Sequence, residues 1–283
     1  MKTKILSKIL IYSVLILGSL ILLIPFVSLL TTSFKTFEQA VSEPANLIPA
    51  PFEWSNYKVV ITQQNYFAGL FTSLHIALIG SIGTVLSSSL VAFAFARFDV
   101  KEKNVIFSVL MLSAMIPGQV LTISMYELYN SYLGWMNTYF PFWIPPFLGG
   151  GIMNVFLIRQ FFMGIPKALY EAAEIDGANF FSQYALMAVP LSVPVLLTVF
   201  IFTFTGSWND FMTPLLYLVG MEDNKLPLAL LMYRMYDRLK VGDSKRWNVI
   251  SAGNVLMMLP IILLFAFTQK YFIEGVSVSG VKQ

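Results

Sequence analysis

Residues 164–194 read GIPKALYEAAEIDGANFFSQYALMAVPLSVP, in which a short charged segment runs directly into a long apolar one. Pro166 suits the first turn of a helix, and Gly177 is a natural C-terminal stop. The residues between them predict a short amphipathic helix. Its apolar side comprises Ala168, Leu169, Ala172, Ala173 and Ile175. Its acidic side comprises Glu171, Glu174 and Asp176. Such a side is either a solvated surface or a docking site, because small alanines permit close approach and carboxylates can meet basic groups.

The apolar stretch that follows Gly177 is one of six long stretches without Asp, Glu, Lys or Arg. A helix that crosses a bilayer needs about 20 predominantly apolar residues, so each stretch predicts one span. The predicted span cores are residues 10–30, 70–95, 105–126, 138–158, 184–205 and 248–269. Two shorter apolar runs, 211–221 and 226–233, are too short to cross and predict a structured loop instead.

Composition supports the same class. Of the 283 residues, 57% are hydrophobic and 12% are charged, whereas a soluble domain carries about 25% charged residues. An ordinary soluble domain and a disordered chain are therefore excluded, and the predicted fold class is an all-α polytopic membrane protein. The absence of Cys excludes disulfide scaffolds and thiolate metal sites, and the single histidine, His75, excludes a multi-His centre. A net charge of +3 is too small to indicate nucleic-acid binding.

Basic residues predict the orientation, because loops on the cytoplasmic side are enriched in Lys and Arg. Ten basic residues fall on one side of the six spans, namely Lys2, Lys4, Lys8, Arg97, Lys101, Lys103, Arg159, Lys167, Lys270 and Lys282. The opposite side has Lys35 and Lys58 in its first loop and six basic residues in its last, which is the exception to the rule. Both termini are predicted to be cytoplasmic. The first apolar run is longer than a signal peptide requires and lacks an A-x-A cleavage site, so we expect it to be a retained helix.

The predicted span cores contain no charged side chain, which argues against an ion-coupled carrier, because such carriers use buried charged groups. No G-x-x-x-x-G-K-[ST] motif is present, and no G-x-S-x-G elbow accompanies His75. The sequence therefore predicts neither an enzyme nor a nucleotide-hydrolysing chain. A membrane scaffold remains a further alternative, and it predicts no uptake activity.

The charged helix resembles the EAA loop of ABC importer permeases, whose pattern is E-A-A, three residues, G, nine residues, I-x-L-P. Here Glu171-Ala172-Ala173 and Gly177 are followed at the same spacing by Met187-Ala188-Val189-Pro190. The resemblance implies that this helix sits in a cleft of a cytoplasmic ATPase and transmits its closure to the spans. The coupling residues that it implies are Glu171, Ala172, Ala173, Asp176 and Gly177.

The resemblance covers nearly the whole chain and is closest to the MalG-like half of carbohydrate importers. The matching segments are Phe95-Ala96-Arg97-Phe98, Met115-Ile116-Pro117-Gly118-Gln119, Leu133-Gly134 with Asn137-Thr138, Trp208-Asn209-Asp210-Phe211 with Pro214-Leu215, and Gln269 to Gly275 with Gly280-Val281-Lys282. Ser277 and Ser279 depart from the family, which often has Thr and an extra Gly there. The implied fold is the type I ABC importer transmembrane fold with six transmembrane helices and a cytoplasmic coupling helix.

The resemblance also implies a division of the chain. Residues 1–34 form the N-terminal tail and first span, and 35–68 an external loop. Residues 69–272 form the transmembrane core, and 273–283 a cytoplasmic tail that reaches toward the ATPase interface. Within the core lie the coupling loop, 164–182, and an external loop, 206–247.

The implied function is a permease subunit of an ATP-driven importer for a sugar or oligosaccharide in the bacterial cytoplasmic membrane. The alternative is a non-sugar polar solute such as a polyol or glycerol phosphate. The implied partners are a MalF-like companion permease, two ABC ATPase subunits that bind ATP and Mg, an extracellular or periplasmic solute-binding protein, and the lipid bilayer. The chain itself is expected to hold no catalytic residue, cofactor, metal or nucleic acid.

Neutral polar residues at membrane depth suit a hydroxyl-rich solute, which amides bind by hydrogen bonds and aromatic rings by stacking. The candidates for the substrate pathway are Gln119, Asn154, Trp208 and Asn209. Asn154 is the best candidate among them, because Gly149-Gly150-Gly151 is expected to break the fourth span just before it. The alternative is that such residues only pack helices together.

Overall fold

The structure is a computed structural model that describes the backbone of residues 2–279 and the side chains of residues 7–270. The predictions on the charges of Lys2, Lys4 and Lys282, and on the contacts of the tail 273–283, lie outside the described side chains. The described chain is mostly helical and contains one two-stranded hairpin, which confirms the all-α class.

The elements follow one another with short connections. The helices are α1 (Lys2–Ser33), α2 (Phe37–Ser42), α3 (Ser55–Gln63), α4 (Tyr66–Arg97), α5 (Lys103–Ser113), α6 (Gly118–Glu127), α7 (Phe140–Trp143), α8 (Ile152–Met163), α9 (Lys167–Ile175), α10 (Phe180–Gln183), α11 (Val189–Leu191), α12 (Val193–Asn209), α13 (Met212–Tyr217), α14 (Leu228–Arg238) and α15 (Trp247–Ser279). The strands β1 (Lys240–Val241) and β2 (Ser244–Lys245) pair in antiparallel fashion. Single π-helical turns follow α6 and α10 (Leu128–Tyr132 and Tyr184–Ala188), and 3₁₀ turns lie at Pro145–Phe147 and Asp223–Lys225.

The predicted cores 10–30, 70–95 and 248–269 each lie within one helix, whereas the third and fifth are bent and the fourth is interrupted at residues 148–151. Four segments are long and apolar enough to cross a bilayer, and they are Ser7–Ser33, Tyr66–Arg97, Phe140–Met163 and Trp247–Lys270. The predicted third and fifth spans are each a pair of helices, bent by 86° and 79°. The described residues therefore hold four candidate spans, or up to six if each bent pair is one span.

Prolines account for both bends. Pro117 directly precedes α6, and a proline disfavours helical geometry at the residue before it, so α5 ends at Ser113. In the other pair the two segments meet at Ser192, which lies between Pro190 and Pro194. Pro190 has no N–H to donate to the preceding turn, and the π-helical turn Tyr184–Ala188 directly precedes its helix. Pro194 then occupies the first turn of α12.

The chain divides into two compact units. One comprises Met1–Phe67 and Leu231–Leu259, and the other Ala68–Leu230 and Pro260–Gln283. The second unit contains an apolar core to which α4, α5, α8, α9 and α12 contribute. The core residues are Ala92, Phe93, Phe107, Val155, Ile158, Phe162, Ile165, Tyr170, Ala188, Val195, Leu196 and Val199.

The first unit has a buried polar centre that the sequence did not predict. Lys35 is fully buried, and its ammonium donates to the carbonyl of Glu43 at 2.8 Å and to that of Pro44 at 3.2 Å. Asn56 donates to the carbonyls of Ser33 and Lys35, both at 2.9 Å. Lys35, which the sequence analysis counted as a loop charge, is thus a structural residue that anchors the chain after α1.

Two charged residues lie on helix just beyond the bounds of the predicted span cores. Arg159 was assigned to the loop after the fourth span, but α8 continues past it to Met163. Its guanidinium lies 4.3 Å from the ring centroid of Phe107, which accommodates a cation within the helical layer. In the bent third segment, the helix runs through Glu127, one residue beyond the predicted core.

Candidate functional site

Helix α9 has the boundaries that the sequence predicted. Pro166 stands directly before its first residue, with φ −56°. At the other end Gly177 has φ +82°, a left-handed conformation that glycine adopts without steric cost. The Gly177 N–H donates to the Glu174 carbonyl at 3.0 Å, and the Ala178 N–H to the Ala173 carbonyl at 2.8 Å. This pair of hydrogen bonds is a Schellman motif, which closes the helix and turns the chain toward α10.

Most of the apolar side of α9 is exposed. Leu169 is 44% and Ile175 87% exposed, and Ala172 is also exposed. The helix is instead attached through Tyr170, which is 4% exposed and which the sequence analysis did not single out. Its ring lies 6.0 Å from that of Phe93 on α4. An exposed apolar face on a short helix with a fixed cap is a surface suited to contact with another protein.

The three carboxylates of α9 differ in their surroundings. Glu171 and Asp176 are exposed, and neither side chain has a hydrogen bond or ion pair to another described residue. Glu174 instead forms an ion pair with Arg97, the last residue of α4. Glu174 is therefore bound within the chain, and only Glu171 and Asp176 remain available on the acidic side.

A cavity of about 360 Å³ lies behind α9, against the ends of α4 and α8. Its floor is apolar, with Phe93, Phe162 and Ile165, and its rim is charged. Tyr170 lines this cavity, and its buried hydroxyl has no hydrogen-bond partner among the described residues. Burial raises the pKa of that hydroxyl, and the nearby positive charge of Arg97 opposes the rise. Tyr170 thus stays neutral and attaches the helix mainly by its ring.

The fourth predicted span is broken where the glycines stand. Gly149, Gly150 and Gly151 have φ of +110°, +65° and +84°, and α8 begins at the next residue, which confirms the predicted break. Gly150 also packs so closely on the backbone of Thr84 that a Cβ atom would overlap it. Asn154 is half-buried and donates its side-chain amide to the Gly150 carbonyl at 2.7 Å, so that its amide supports this break.

The other three pathway candidates lie in different surroundings. Gln119 is exposed in the first turn of α6, after the bend at Pro117. Trp208 is 1% exposed and stacks on Phe204, with ring centroids 5.8 Å apart, so its indole lies in the packed interior. Asn209 is exposed and lines a groove of about 490 Å³ between α12 and α15. The groove residues are Ile201, Phe202, Thr205, Gly206, Asn209, Ile261, Leu264 and Phe265. Gln119, Asn154 and Trp208 are not among them.

The comparisons with known proteins agree with this arrangement. A profile described as "Binding-protein-dependent transport system inner membrane component" matches residues 85–278, which is more than half of the chain. The chain belongs to this family. The resemblance noted from the EAA pattern is thereby confirmed, and the protein is a multi-pass permease component of a membrane transport system rather than an enzyme.

Several curated relatives of this permease are similar over nearly their full length. The arabinooligosaccharides transport system permease protein AraQ of Halalkalibacterium halodurans is 30% identical over 91% of this chain and 90% of its own. The polygalacturonan/rhamnogalacturonan transport system permease protein YtcP of Bacillus subtilis is 28% identical over 96% and 97%. The trehalose/maltose transport system permease protein MalG of Thermococcus litoralis is 26% identical over 100% and 99%.

Solved structures show the same fold. A bacterial ABC transporter involved in the import of the acidic polysaccharide alginate contains a chain that superposes with a TM-score of 0.79. That chain is 20% identical, and the superposition covers 96% of this permease and 98% of the other chain. A second alginate transporter structure, in complex with a periplasmic protein bound to an alginate pentasaccharide, gives a TM-score of 0.60 at 16% identity over 91% and 92%. The likeness supports the predicted ABC permease fold.

Sequence reasoning missed three residues that hold α9 of this permease in place. Arg97 and Gln183 bind Glu174, and Tyr170 attaches α9 to the core. A signal for Arg97 was present, since it is a cation that directly ends an apolar span and belongs to the Phe95–Phe98 element. No comparable signal marks Gln183, because a buried glutamine cannot be told from a surface one by its neighbours in the sequence.

Proposed function

We propose that this chain is one of two permease subunits of an ATP-driven importer that carries a sugar or oligosaccharide across the bacterial cytoplasmic membrane. The partner ATPase subunits bind ATP and Mg, and their closure moves α9 and thereby the spans. The proposal rests on the exposed surface of α9. It presents exposed Leu169, Ala172 and Ile175 beside two unpaired carboxylates, and it is closed by the Gly177 motif. An exposed apolar face with free charges at its edge is what a docking helix requires.

The proposed coupling residues are Glu171, Ala172, Ala173, Asp176 and Gly177. Ala172 allows a partner to approach the helix backbone, and Glu171 and Asp176 can meet basic groups of the partner. Gly177 allows the chain to reverse directly into α10. A displacement of α9 is therefore transmitted to the fifth predicted span through only a few residues. Motion at the ATPase thus becomes motion of the spans without a long flexible linker.

The proposed topology has six spans, with the third and fifth bent, and both termini in the cytoplasm. The contact between Arg97 and Glu174 supports this arrangement, because it brings the loop after the second predicted span and the loop after the fourth together. Two loops that touch lie on the same side of the bilayer. This agrees with the proposed topology, because two spans, the third and the fourth, separate these loops along the chain. The basic residues of both loops favour the cytoplasmic side.

The remaining partners are a MalF-like companion permease and a solute-binding protein outside the membrane. The residues between α12 and α15 form an ordered external segment with α13, α14 and the β1–β2 hairpin, which supports contact with a folded receptor. The C-terminal residues 273–283 are proposed to reach the ATPase interface.

A saccharide is favoured over a polyol or glycerol phosphate as substrate. The relatives named above are described as permeases for arabinooligosaccharides, polygalacturonan/rhamnogalacturonan and trehalose/maltose, which are all saccharides. The groove between α12 and α15 combines the amide of Asn209 with the rings of Phe202 and Phe265, and this is the chemistry by which proteins bind sugars. Gln119 and Asn154 are proposed as weaker contributors to the same pathway, and Trp208 acts there by supporting the end of α12 from within.

The test is uptake by the complete transporter reconstituted in vesicles. We expect uptake of an oligosaccharide that requires ATP and the cognate binding protein and that persists when ionophores dissipate ion gradients. Uptake abolished by ionophores but independent of ATP would identify an ion-coupled carrier. Absence of any uptake, with a stable complex, would identify a scaffold. Competition by a polyol or glycerol phosphate, without competition by oligosaccharides, would overturn the substrate assignment.

A further inference from the structure

Arg97 makes three different contacts at the point where α4 ends. Its Nη2 forms an ion pair with Oε1 of Glu174 on α9. Its Nε donates to Oε1 of Gln183 on α10 at 3.2 Å. Its guanidinium lies over the ring of Tyr170, 5.0 Å from the centroid. One arginine therefore holds the coupling helix at two positions and the next helix at a third, and such planar multi-donor contacts cannot be reproduced by lysine.

The partners of Arg97 are themselves fixed. Gln183 is 4% exposed, and its amide donates to the Ala178 carbonyl at 3.2 Å and to Glu174 Oε1 at 3.4 Å. These bonds lie on both sides of the Gly177 turn, so the turn and the arginine form one network. Next to it, the rings of Phe98 and Phe180 stack at 4.5 Å with an interplanar angle of 8°. The end of α4 is thus joined to α9 and to α10 by polar and aromatic contacts together.

We propose that Arg97 is a positioning residue that makes α4 move with α9, so that ATPase closure acts directly on the second predicted span. Chain connectivity alone joins α9 only to α8 and α10. Together with the packing of Tyr170 on Phe93, the Arg97 network adds α4 to this group, and the three spans respond as one body. The inference rests on the proposed function, because it concerns the route by which the movement of α9 reaches the spans.

Distance measurements test this movement. The chain contains no cysteine, so spin labels attach only at introduced sites. Val100→Cys and Lys167→Cys place labels on exposed positions just after α4 and at the start of α9. In the complete transporter, with cysteine-free partner subunits, we expect the distance between the two labels to be the same in the resting state and in the state with ATP and binding protein. When Arg97→Gln is added, we expect a second distance between the two labels, so that the resting state and the state with ATP and binding protein differ. A label distance that already changes with nucleotide state in the parent would overturn the proposal.

Coupling measurements give an independent readout. In Arg97→Gln and in Glu174→Gln we expect normal recovery of the ATPase subunits but at least about fivefold fewer sugar molecules transported per ATP, as lost coupling between sites predicts. The exchange variant, Arg97→Glu with Glu174→Arg, is expected to recover at least half of this ratio. The matched control is Asp99→Asn, whose fully exposed carboxylate pairs only with Lys103 nearby, and it should leave the ratio unchanged.

The outcomes separate this inference from the proposed function. A parent transporter without ATP-dependent, receptor-dependent uptake would overturn the proposed function itself. A parent that transports normally, together with an Arg97→Gln variant of unchanged transport ratio, would overturn only the role of Arg97. An exchange variant as poorly coupled as the single variants would overturn the pairing with Glu174.

Discussion

Asn248 donates its side-chain amide to Oδ1 of Asn56 at 2.8 Å, although 192 residues of sequence separate them. Both are buried in the first unit, with 2% and 1% of their surface exposed. Asn56 in turn donates to the carbonyls of Ser33 and Lys35. A single amide thus joins α3 to the end of α1 and to the first turn of α15.

Replacement of Asn56 should therefore destabilise the protein. In Asn56→Ala the two carbonyls and the Asn248 amide lose their partner, and each such buried group costs about 1–3 kcal/mol. We expect a clearly lower Tm in detergent and a lower yield of folded protein. Thr62→Ala is the matched control, because it removes an exposed hydroxyl from the same helix that bonds only to the backbone of Lys58. Equal Tm values for the two variants would contradict this account of Asn56.

Substitution of Gly177 should impair the docking of α9 and leave the binding of the solute-binding protein unchanged. In Gly177→Asp the left-handed conformation at φ +82° becomes strained by about 1 kcal/mol, and a charge enters the turn. We expect loss of uptake, with unchanged affinity for the binding protein, measured in the same vesicles. Gly118→Ala serves as the control, since Gly118 lies in α6 with open space at its Cβ position. Normal uptake by the Gly177 variant would contradict the coupling role of this segment.

Tyr170 should act through its ring rather than its hydroxyl. The hydroxyl has no partner among the described residues, so Tyr170→Phe is expected to keep the Tm and the uptake within experimental error. Tyr170→Ala removes a buried ring and is expected to cost roughly 3 kcal/mol or more, as other aromatic truncations do. Thermal unfolding of the three proteins in parallel measures both effects. A large decrease in Tm or in uptake in Tyr170→Phe would show that the hydroxyl has a polar partner.

The parent protein and Tyr170→Phe should also differ in thermal stability at alkaline pH. Burial raises the pKa of Tyr170 above its usual value of 10.0, so folding favours the protonated hydroxyl. The resulting stabilisation is complete below pH 10 and is lost as the pH rises through the folded-state pKa. We therefore expect the Tm of the parent to fall more steeply above pH 10 than that of Tyr170→Phe. Identical pH profiles would show that the hydroxyl titrates as in the unfolded chain.

Asn209 should contribute to the substrate pathway more than Asn154 does. Asn209 is exposed in the groove, whereas Asn154 is half-buried; each side-chain amide donates to one backbone carbonyl, that of Thr205 and that of Gly150 respectively. Loss of one hydrogen bond to a sugar hydroxyl changes binding by about 0.5–1.5 kcal/mol, so Asn209→Ala is expected to raise KM for uptake by roughly threefold to tenfold. Ser108→Ala is the control, as its hydroxyl bonds only to its own helix. An unchanged KM in the Asn209 variant would remove the groove from the pathway.

Much of the architecture was predictable because it depends on local features. Apolar stretches longer than a bilayer requires predict helices wherever they occur, and three of the six predicted cores lie within single helices while the other three are helical with interruptions. The glycine break before Asn154 and the closure of α9 at Gly177 were predictable for the same reason, since a left-handed residue is a property of one position. The bends next to Pro117 and at Ser192 were not predicted, although Pro117, Pro190 and Pro194 stand in the sequence, because a proline within an apolar stretch is compatible with either a kink or a continuous span.

The placement of the polar side chains was largely unpredictable. The sequence analysis counted Lys35 as a loop charge and Glu174 as part of an acidic surface, and it included Trp208 among the pathway candidates. In the structure Lys35 is buried among carbonyls, Glu174 is paired with Arg97, and Trp208 is packed against Phe204. Each of these contacts depends on which surfaces of distant segments meet, and hydropathy along the chain contains no information about that.

Local interactions along the chain are sufficient to specify an all-α membrane component and a short helix, closed by Gly177, after the fourth predicted span. Both properties arise from interactions within a few turns of the chain, where burial in a bilayer and the conformational freedom of glycine decide the outcome. Which charges remain free on that helix depends instead on long-range packing. The pairing of Arg97 with Glu174 joins residues 77 positions apart, so it exists only because the packing of α4 against α9 brings their side chains together.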